Sequence, residues 1–212
     1  MRSDPLARLG GNPRVRDRAL RGSRVVFAGF FVLAALSASR AAAEPFRLVL
    51  DPAATEISFT LGATLHTVRG HFALAAGEVA FDPDTGVASG EIQVDAQSGD
   101  TGIDRRDRVM HEEVLDSPHH PLLVLRPERI EVSRRGANAL AGTLLASCEV
   151  RGASHPIALA FEGTRSGEHA QLTVTFEVPW VAWGLPNPSN ALLSVDETLA
   201  VAVSAAGRLA TE

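Results

Sequence analysis

The chain has 212 residues, and its 20 basic side chains, all arginine, face 25 carboxylates for a net charge of −5. With one cysteine, Cys148, it cannot close an internal disulfide, and without a basic stripe it offers no footprint for nucleic acid. Its length suits one domain with a sizeable core once the N-terminal segment is set aside.

That segment reads as targeting rather than fold. Residues 1–43 hold eight arginines and two aspartates, then the apolar run Val25–Leu36, then small residues with Ala41 and Ala43 placed for cleavage before Glu44. This is the pattern of a secretory signal peptide, and the apolar run falls short of the roughly 20 residues a membrane span needs. Removing it leaves residues 44–212 with 12 basic and 23 acidic residues, a balance of −11. The expected location is the periplasm or the exterior, with no integral membrane span after cleavage.

From Glu44 on, apolar and polar residues alternate with period two. Ile57, Phe59 and Leu61 begin the series, followed by Val68, Gly70, Phe72 and Leu74, then Gly77–Phe81 and the turn Asp82-Pro83-Asp84-Thr85-Gly86. Gly90, Ile92 and Val94 come next. After a charged interruption the rhythm returns at Leu122–Ile130, Leu140–Leu144, Ile157–Phe161, Leu172–Val178 and Leu199–Val203. Eight or more short strands predict an antiparallel sandwich or barrel. Glycine and alanine within strands (Gly70, Gly90, Gly142, Ala158, Ala202) lean toward the bent strands of a barrel.

The interruption, Gly99–Leu125, carries three of the seven histidines and spaces Ile103, Asp107, Met110 and Val114 along one helical face. Thr101 or Asp100 is placed to cap this helix and Ser117-Pro118 to stop it. Asp107 shares the apolar stripe, so its carboxylate needs donors, for which Arg106 and Arg69 are the candidates. Two roles stay open for Arg106-Asp107: a staple holding the helix to a barrel rim, or a guanidinium fork holding the polar head of a ligand.

Taken in order, several pieces resemble the YceI-like family of exported, lipocalin-like proteins. They are Leu61-Gly62, Thr67-Val68-Arg69-Gly70-His71-Phe72, Phe81-Asp82-Pro83, Arg106-Asp107, Pro121, Leu140-Ala141-Gly142-Thr143-Leu144 and Gly152-Ala153-Ser154-His155-Pro156-Ile157. The resemblance implies an all-β fold, an extended eight-stranded antiparallel barrel with a short helix between strands. It also implies a lumen holding a long isoprenoid or related amphiphilic lipid, no other cofactor, and a homodimer as a common arrangement. Phe59, Leu61, Phe72, Phe81, Leu144, Phe161 and Phe176 are the expected lumen wall. Trp180 and Trp183, in the stiff apolar loop Val178–Pro188, join them as lipid-binding lumen residues, with closing one end of the core or making a dimer contact as the other roles open to that loop. Arg69, Arg106 and Asp107 are assigned to the rim. The chain departs from the family pattern at Val114-Leu115 and at Leu122–Leu125.

Other chemistry finds less footing. His111, His119 and His120 motivate a second reading, a metal- or haem-associated redox accessory, but the residue four after His111 is Leu115 rather than a second histidine. Gly152-Ala153-Ser154-His155 lacks the second glycine of a nucleophile elbow. A third reading is an interaction module whose core is filled by the same aromatic side chains. The expectation carried forward is a lipid-binding barrel, not an enzyme.

Overall fold

The computed structural model describes residues 46–64, 66–189 and 194–211, so the predicted leader 1–43 lies outside the described residues. The described residues form nine strands: β1 (Phe46–Leu50), β2 (Glu56–Gly62), β3 (Thr67–Phe81), β4 (Ala88–Asp100), β5 (Leu122–Arg135), β6 (Ala139–Val150), β7 (Ala153–Ser166), β8 (His169–Val178) and β9 (Leu199–Thr211). All pairings are antiparallel and run in a ring. β1 and β2 occupy the same place in it, for both pair with β3 on one side and β9 on the other. They are one stave broken at Asp51–Thr55, where Pro52 starts a single 3₁₀ turn and the Asp51 carboxylate accepts from the Ala53 N–H at 2.9 Å. Nine strands therefore make the eight-stranded barrel that the family resemblance implies.

β1 itself escaped the sequence reading, and the two strands expected at Val68–Leu74 and Gly77–Phe81 are one. The register of β3 against β4 shifts between His71 and Ala73 and again between Leu74 and Ala76. An extra residue in a strand swaps which side chains face inward. Phe72 and Leu74 line the interior at even positions and Val79 does so at an odd one. β5 does the same at Pro127, with Leu123 and Leu125 inward before the shift and Ile130 after it.

The seam with the shortest ladder between full staves lies between β4 and β5, where Ile92–Asp95 pair with Leu122–Leu125. Pro127 has no N–H for the ladder. Outside this seam Arg126 reaches Glu149 at 2.7 Å and Glu91 at 3.2 Å, tying three neighbouring strands together. All three side chains are well exposed, so each pair contributes at most about 1 kcal/mol.

Positive-φ backbone matters most at one turn and at one position inside a strand. The β6–β7 hairpin turns through Arg151 (φ 49°) and Gly152 (φ 74°), the handedness that suits a two-residue hairpin. Gly90, inside β4, has φ 118°, and a Cβ there would meet the Glu78 carbonyl oxygen at 2.2 Å. Gly90→Ala is expected to cost about 2–4 kcal/mol, combining a backbone conformation barred to L side chains with a clash against main chain. The urea unfolding midpoint checks this, and an unchanged midpoint would show that β4 relaxes freely at the seam.

Candidate functional site

The ring encloses a cavity of about 460 Å³. Every strand contributes to its wall through the inward half of the alternation: Ile57, Phe59 and Leu61 line it while Ser58 and Thr60 do not. Small-molecule sites span roughly 300–1,000 Å³, so the space is of ligand size. The wall is almost wholly apolar, and its polar groups are Thr55, Thr101, Arg106 and the Cys148 thiol.

Of the predicted lumen residues, Phe59, Leu61, Phe72, Leu144, Phe161, Phe176, Trp180 and Trp183 all line this cavity. Phe81 does not. It shares the parity of Val79 but ends β3, opposite Phe46 and Ala88, past the limit of the enclosed space. Phe59 and Phe72 lie with ring centroids 5.4 Å apart, and Phe59 covers the Cα of Gly70, where a Cβ would meet its ring at 2.4 Å.

One end of the barrel is closed by two pieces. The first is the interruption between β4 and β5, a short helix α1 (Asp104–Arg108) that widens into a π-helical turn over Val109–Leu115. Val109, Met110, Val114 and Leu115 face the cavity. Ile103, expected on the same face, is instead 53% exposed, because it precedes the helix with extended backbone (φ −137°, ψ 103°) and so leaves the helical phase. The second piece is the loop after β8. Trp180 is buried there and donates its indole N–H to the Asp196 carbonyl at 3.0 Å; with Val150 and Leu185 it forms a cluster against Val114 and Leu115. Trp183 stacks flat on His155, with centroids 4.7 Å apart and planes within 5°.

The polar end of α1 is organised differently from the expectation. Neither Asp100 nor Thr101 caps the helix. Asp100 instead accepts from the Gly102 N–H at 2.6 Å. Asp107 reaches back and accepts from Thr101, from its N–H at 3.0 Å and from its hydroxyl. Arg106 donates to the same threonine, through Nε to Oγ1 at 2.7 Å and through Nη2 to the carbonyl at 2.8 Å. The arginine and the carboxylate are thus joined through Thr101. Arg69 takes no part: it is exposed on β3 opposite Thr60.

The residue that fastens the far end of this segment, Arg151, was not marked by the sequence. From the β6–β7 turn it donates through Nη1 to the carbonyls of Glu113 at 3.0 Å and Val114 at 3.1 Å, where a helix end leaves acceptors unpaired. Nothing in local sequence links Arg151 to a segment 37 residues earlier. The π-helical turn is likewise invisible to a 3.6-residue period.

The histidines of this region are separately engaged. His111 donates from Nε2 to the Gly99 carbonyl at 2.9 Å, so its Nδ1 accepts from the Ser117 hydroxyl at 3.1 Å. Ser117 is 2% exposed, which makes this pair a buried pin between the π turn and β4. His119 bonds to Asp116 at 2.7 Å and holds that carboxyl below its ordinary range, while His120 lies beside Gly152. Among the described residues no three His, Cys, Asp or Glu side chains converge as a metal site. Burial pushes the Cys148 thiol up to about 11.

A closed antiparallel barrel around an apolar cavity, capped at one end by a helix, defines a lipocalin-like β-barrel protein. The YceI-like domain family matches residues 48–206, and the chain belongs to that family. Among solved structures it is similar to Burkholderia cenocepacia BcnA, with a TM-score of 0.59 and 14% identity over 74% of this chain and 98% of that one. It is also similar to a polyisoprenoid binding domain from Saccharophagus degradans implicated in plant cell wall breakdown, with a TM-score of 0.56 and 14% identity over 76% and 97% of the two chains. Comparison with curated proteins finds no match.

Two outcomes are expected from this geometry. Arg151→Met removes two charge-assisted hydrogen bonds at a partly exposed site and should lower stability by about 1 kcal/mol, with amide exchange accelerating first in the π turn. Uniform acceleration across the barrel would deny Arg151 a local role. The Cys148 thiol, with about one in a thousand molecules ionised at pH 8, should react with a disulfide reagent on the order of 100-fold more slowly in the folded protein than in urea. Equal rates would mean that the cavity wall is open to water.

Proposed function

We propose that this protein is an exported binding protein, as monomer or homodimer, that holds a long isoprenoid or similar amphiphilic lipid in its barrel, for carriage or storage. The observation that carries the reading is the apolar cavity itself. Left empty, a dry cavity costs about 24 cal/mol per Å³, on the order of 10 kcal/mol here, which rivals the whole stability of a domain. An apolar chain lying against the wall recovers that contact and gains about 0.8 kcal/mol per buried methylene. A long flexible tail therefore binds well even after its ordering cost.

Family membership and the polyisoprenoid-binding relative of the same fold support this choice of ligand. Export rests on the leader pattern in residues 1–43; among the described residues no helix is long and apolar enough to cross a membrane. The site offers an almost wholly apolar wall rather than a nucleophile and base, so the chemistry it supports is binding.

Organic extraction of protein purified from its native envelope, followed by mass spectrometry, should recover a prenyl or comparable long-chain lipid at near-stoichiometric amounts. Adding such a lipid to stripped protein should raise Tm by several degrees, because a ligand at 100 times its Kd adds about 2.7 kcal/mol. Val203→Phe, which fills the cavity from β9, should reduce that shift without unfolding the barrel. Absence of any co-purifying lipid together with an unmoved Tm would remove the reading.

A further inference from the structure

Two routes into the lumen run through the barrel ends, and both are packed. Trp180, Leu185 and Val150 are buried against the cap at one, and Leu50, Leu74 and Ala205 are buried toward the other. A chain passing either end has to displace these side chains from their apolar contacts. The third route is the wall itself, where neighbouring staves are joined by ladder hydrogen bonds.

Between β4 and β5 that ladder is interrupted. It runs from Asp95 and Leu122 to Ile92 and Leu125 and resumes at Val87 and Arg129, with the Ile130 N–H donating to the Gly86 carbonyl at 2.8 Å. Among the described residues no ladder pair joins residues 88–91 to residues 126–128. Both strands leave regular geometry at this height. Gly90 has φ 118° and packs close on the Glu78 carbonyl of β3. Pro127 has no N–H to donate, and the register of β5 on β6 shifts between Pro127 and Arg129.

Side chains fill the interval instead. Pro127 is buried in it, and Ile92, Leu125 and Ile130 at its margins line the cavity, so it gives directly onto the lumen. On the outside Arg126 of β5 binds Glu91 of β4 at 3.2 Å and Glu149 of β6 at 2.7 Å, while the Gln93 amide donates to the other Glu91 oxygen at 2.5 Å. Parting β4 from β5 at the interval breaks the Glu91 pair and leaves Arg126 on Glu149. The loss there is one exposed ion pair and some apolar contact, not a run of backbone hydrogen bonds.

Resting on the lipid-binding reading above, we propose that the apolar chain enters and leaves the lumen sideways, through the interval between β4 and β5, and that Arg126 on Glu91 is its latch. Neither residue lines the cavity, so the pair sets the rate of exchange and leaves affinity alone. A latch of exposed charges weakens with ionic strength, so exchange should quicken as salt is added.

A C20 prenyl alcohol tests this on stripped protein, with binding and release into phosphatidylcholine vesicles followed by stopped-flow fluorescence of Trp180 and Trp183, which line the cavity. Gln93 and Val124 face each other across the seam, and Thr173 and Ser204 across β8 and β9. In a Cys148→Ala background, a disulfide from Gln93→Cys with Val124→Cys should slow both rates about tenfold or more with Kd unchanged, and reduction should restore them. The Thr173→Cys, Ser204→Cys disulfide should slow neither. Arg126→Gln should speed both rates about threefold and remove their salt dependence. Equal rates in the locked and reduced seam overturn the inference, and faster exchange in Arg151→Met would then place the route at the cap. If the seam disulfide variant does not fold, unchanged rates in Arg126→Gln overturn it alone. If the prenyl alcohol does not bind wild-type protein at all, the lipid-binding reading fails, and the inference with it.

Discussion

Because β1 and β2 both bridge β3 and β9, the sheet formed by the described residues closes without a free edge, and each of its strands is held in register from both sides. A slip of one residue would turn the lumen side chains of a stave to solvent and its serines and threonines inward. Closure thus converts a weak period-two pattern into a fixed inner surface. The same closure creates the cavity. Eight tilted staves set a radius that Leu, Val and Ile side chains reach across only in part, and the wall remains apolar with space at its centre. The proline-initiated break at Asp51–Thr55 lets one stave bend without opening the ring, and the register shifts at Leu74 and Pro127 re-phase two others so that their apolar residues keep facing in.

A barrel with an apolar interior has two ends to close, and here one of them receives most of the irregular structure. The segment from Asp104 to Leu115 is too short to be stable as an isolated helix. It is fixed from outside at three points: Asp107 and Arg106 on Thr101, His111 between Gly99 and Ser117, and Arg151 on the carbonyls of Glu113 and Val114. None of these contacts lies within a strand ladder. The barrel stands by its own pairing, while the cap is a separate polar assembly resting on apolar side chains.

The distinction explains what could be read in advance. The lumen residues Phe59, Leu61, Phe72, Leu144, Phe161 and Phe176 were legible because strand parity is a local property and closure only enforces it. Phe81 obeys the same parity but lies at the end of its strand, and parity carries no information about depth along the barrel. Ile103 was placed by running a helical face one residue too far back. Arg69 sits at a position where alternation with Val68 and Gly70 already points outward, so its assignment to the rim set charge demand above phase. Arg151 had no local signal, since its partners are carbonyls brought near by the β6–β7 turn. The π turn also escaped, because its wider spacing keeps Met110 and Val114 on one side much as an α-helix does.

The positions of the cap and of the two apolar clusters also give the interior a direction. Trp180, Leu185 and Val150 pack with Val114, Leu115 and Leu61 at the capped end, while Leu50, Ile57, Leu74 and Ala205 gather with Leu48 and Leu172 toward the other. Arg106 and Thr101 meet the cavity at the capped end and Thr55 at the break between β1 and β2, and almost all of the surface between them is hydrocarbon. The wall as a whole offers burial rather than hydrogen bonds, so contact area and shape, not a directed polar contact, decide what fits it.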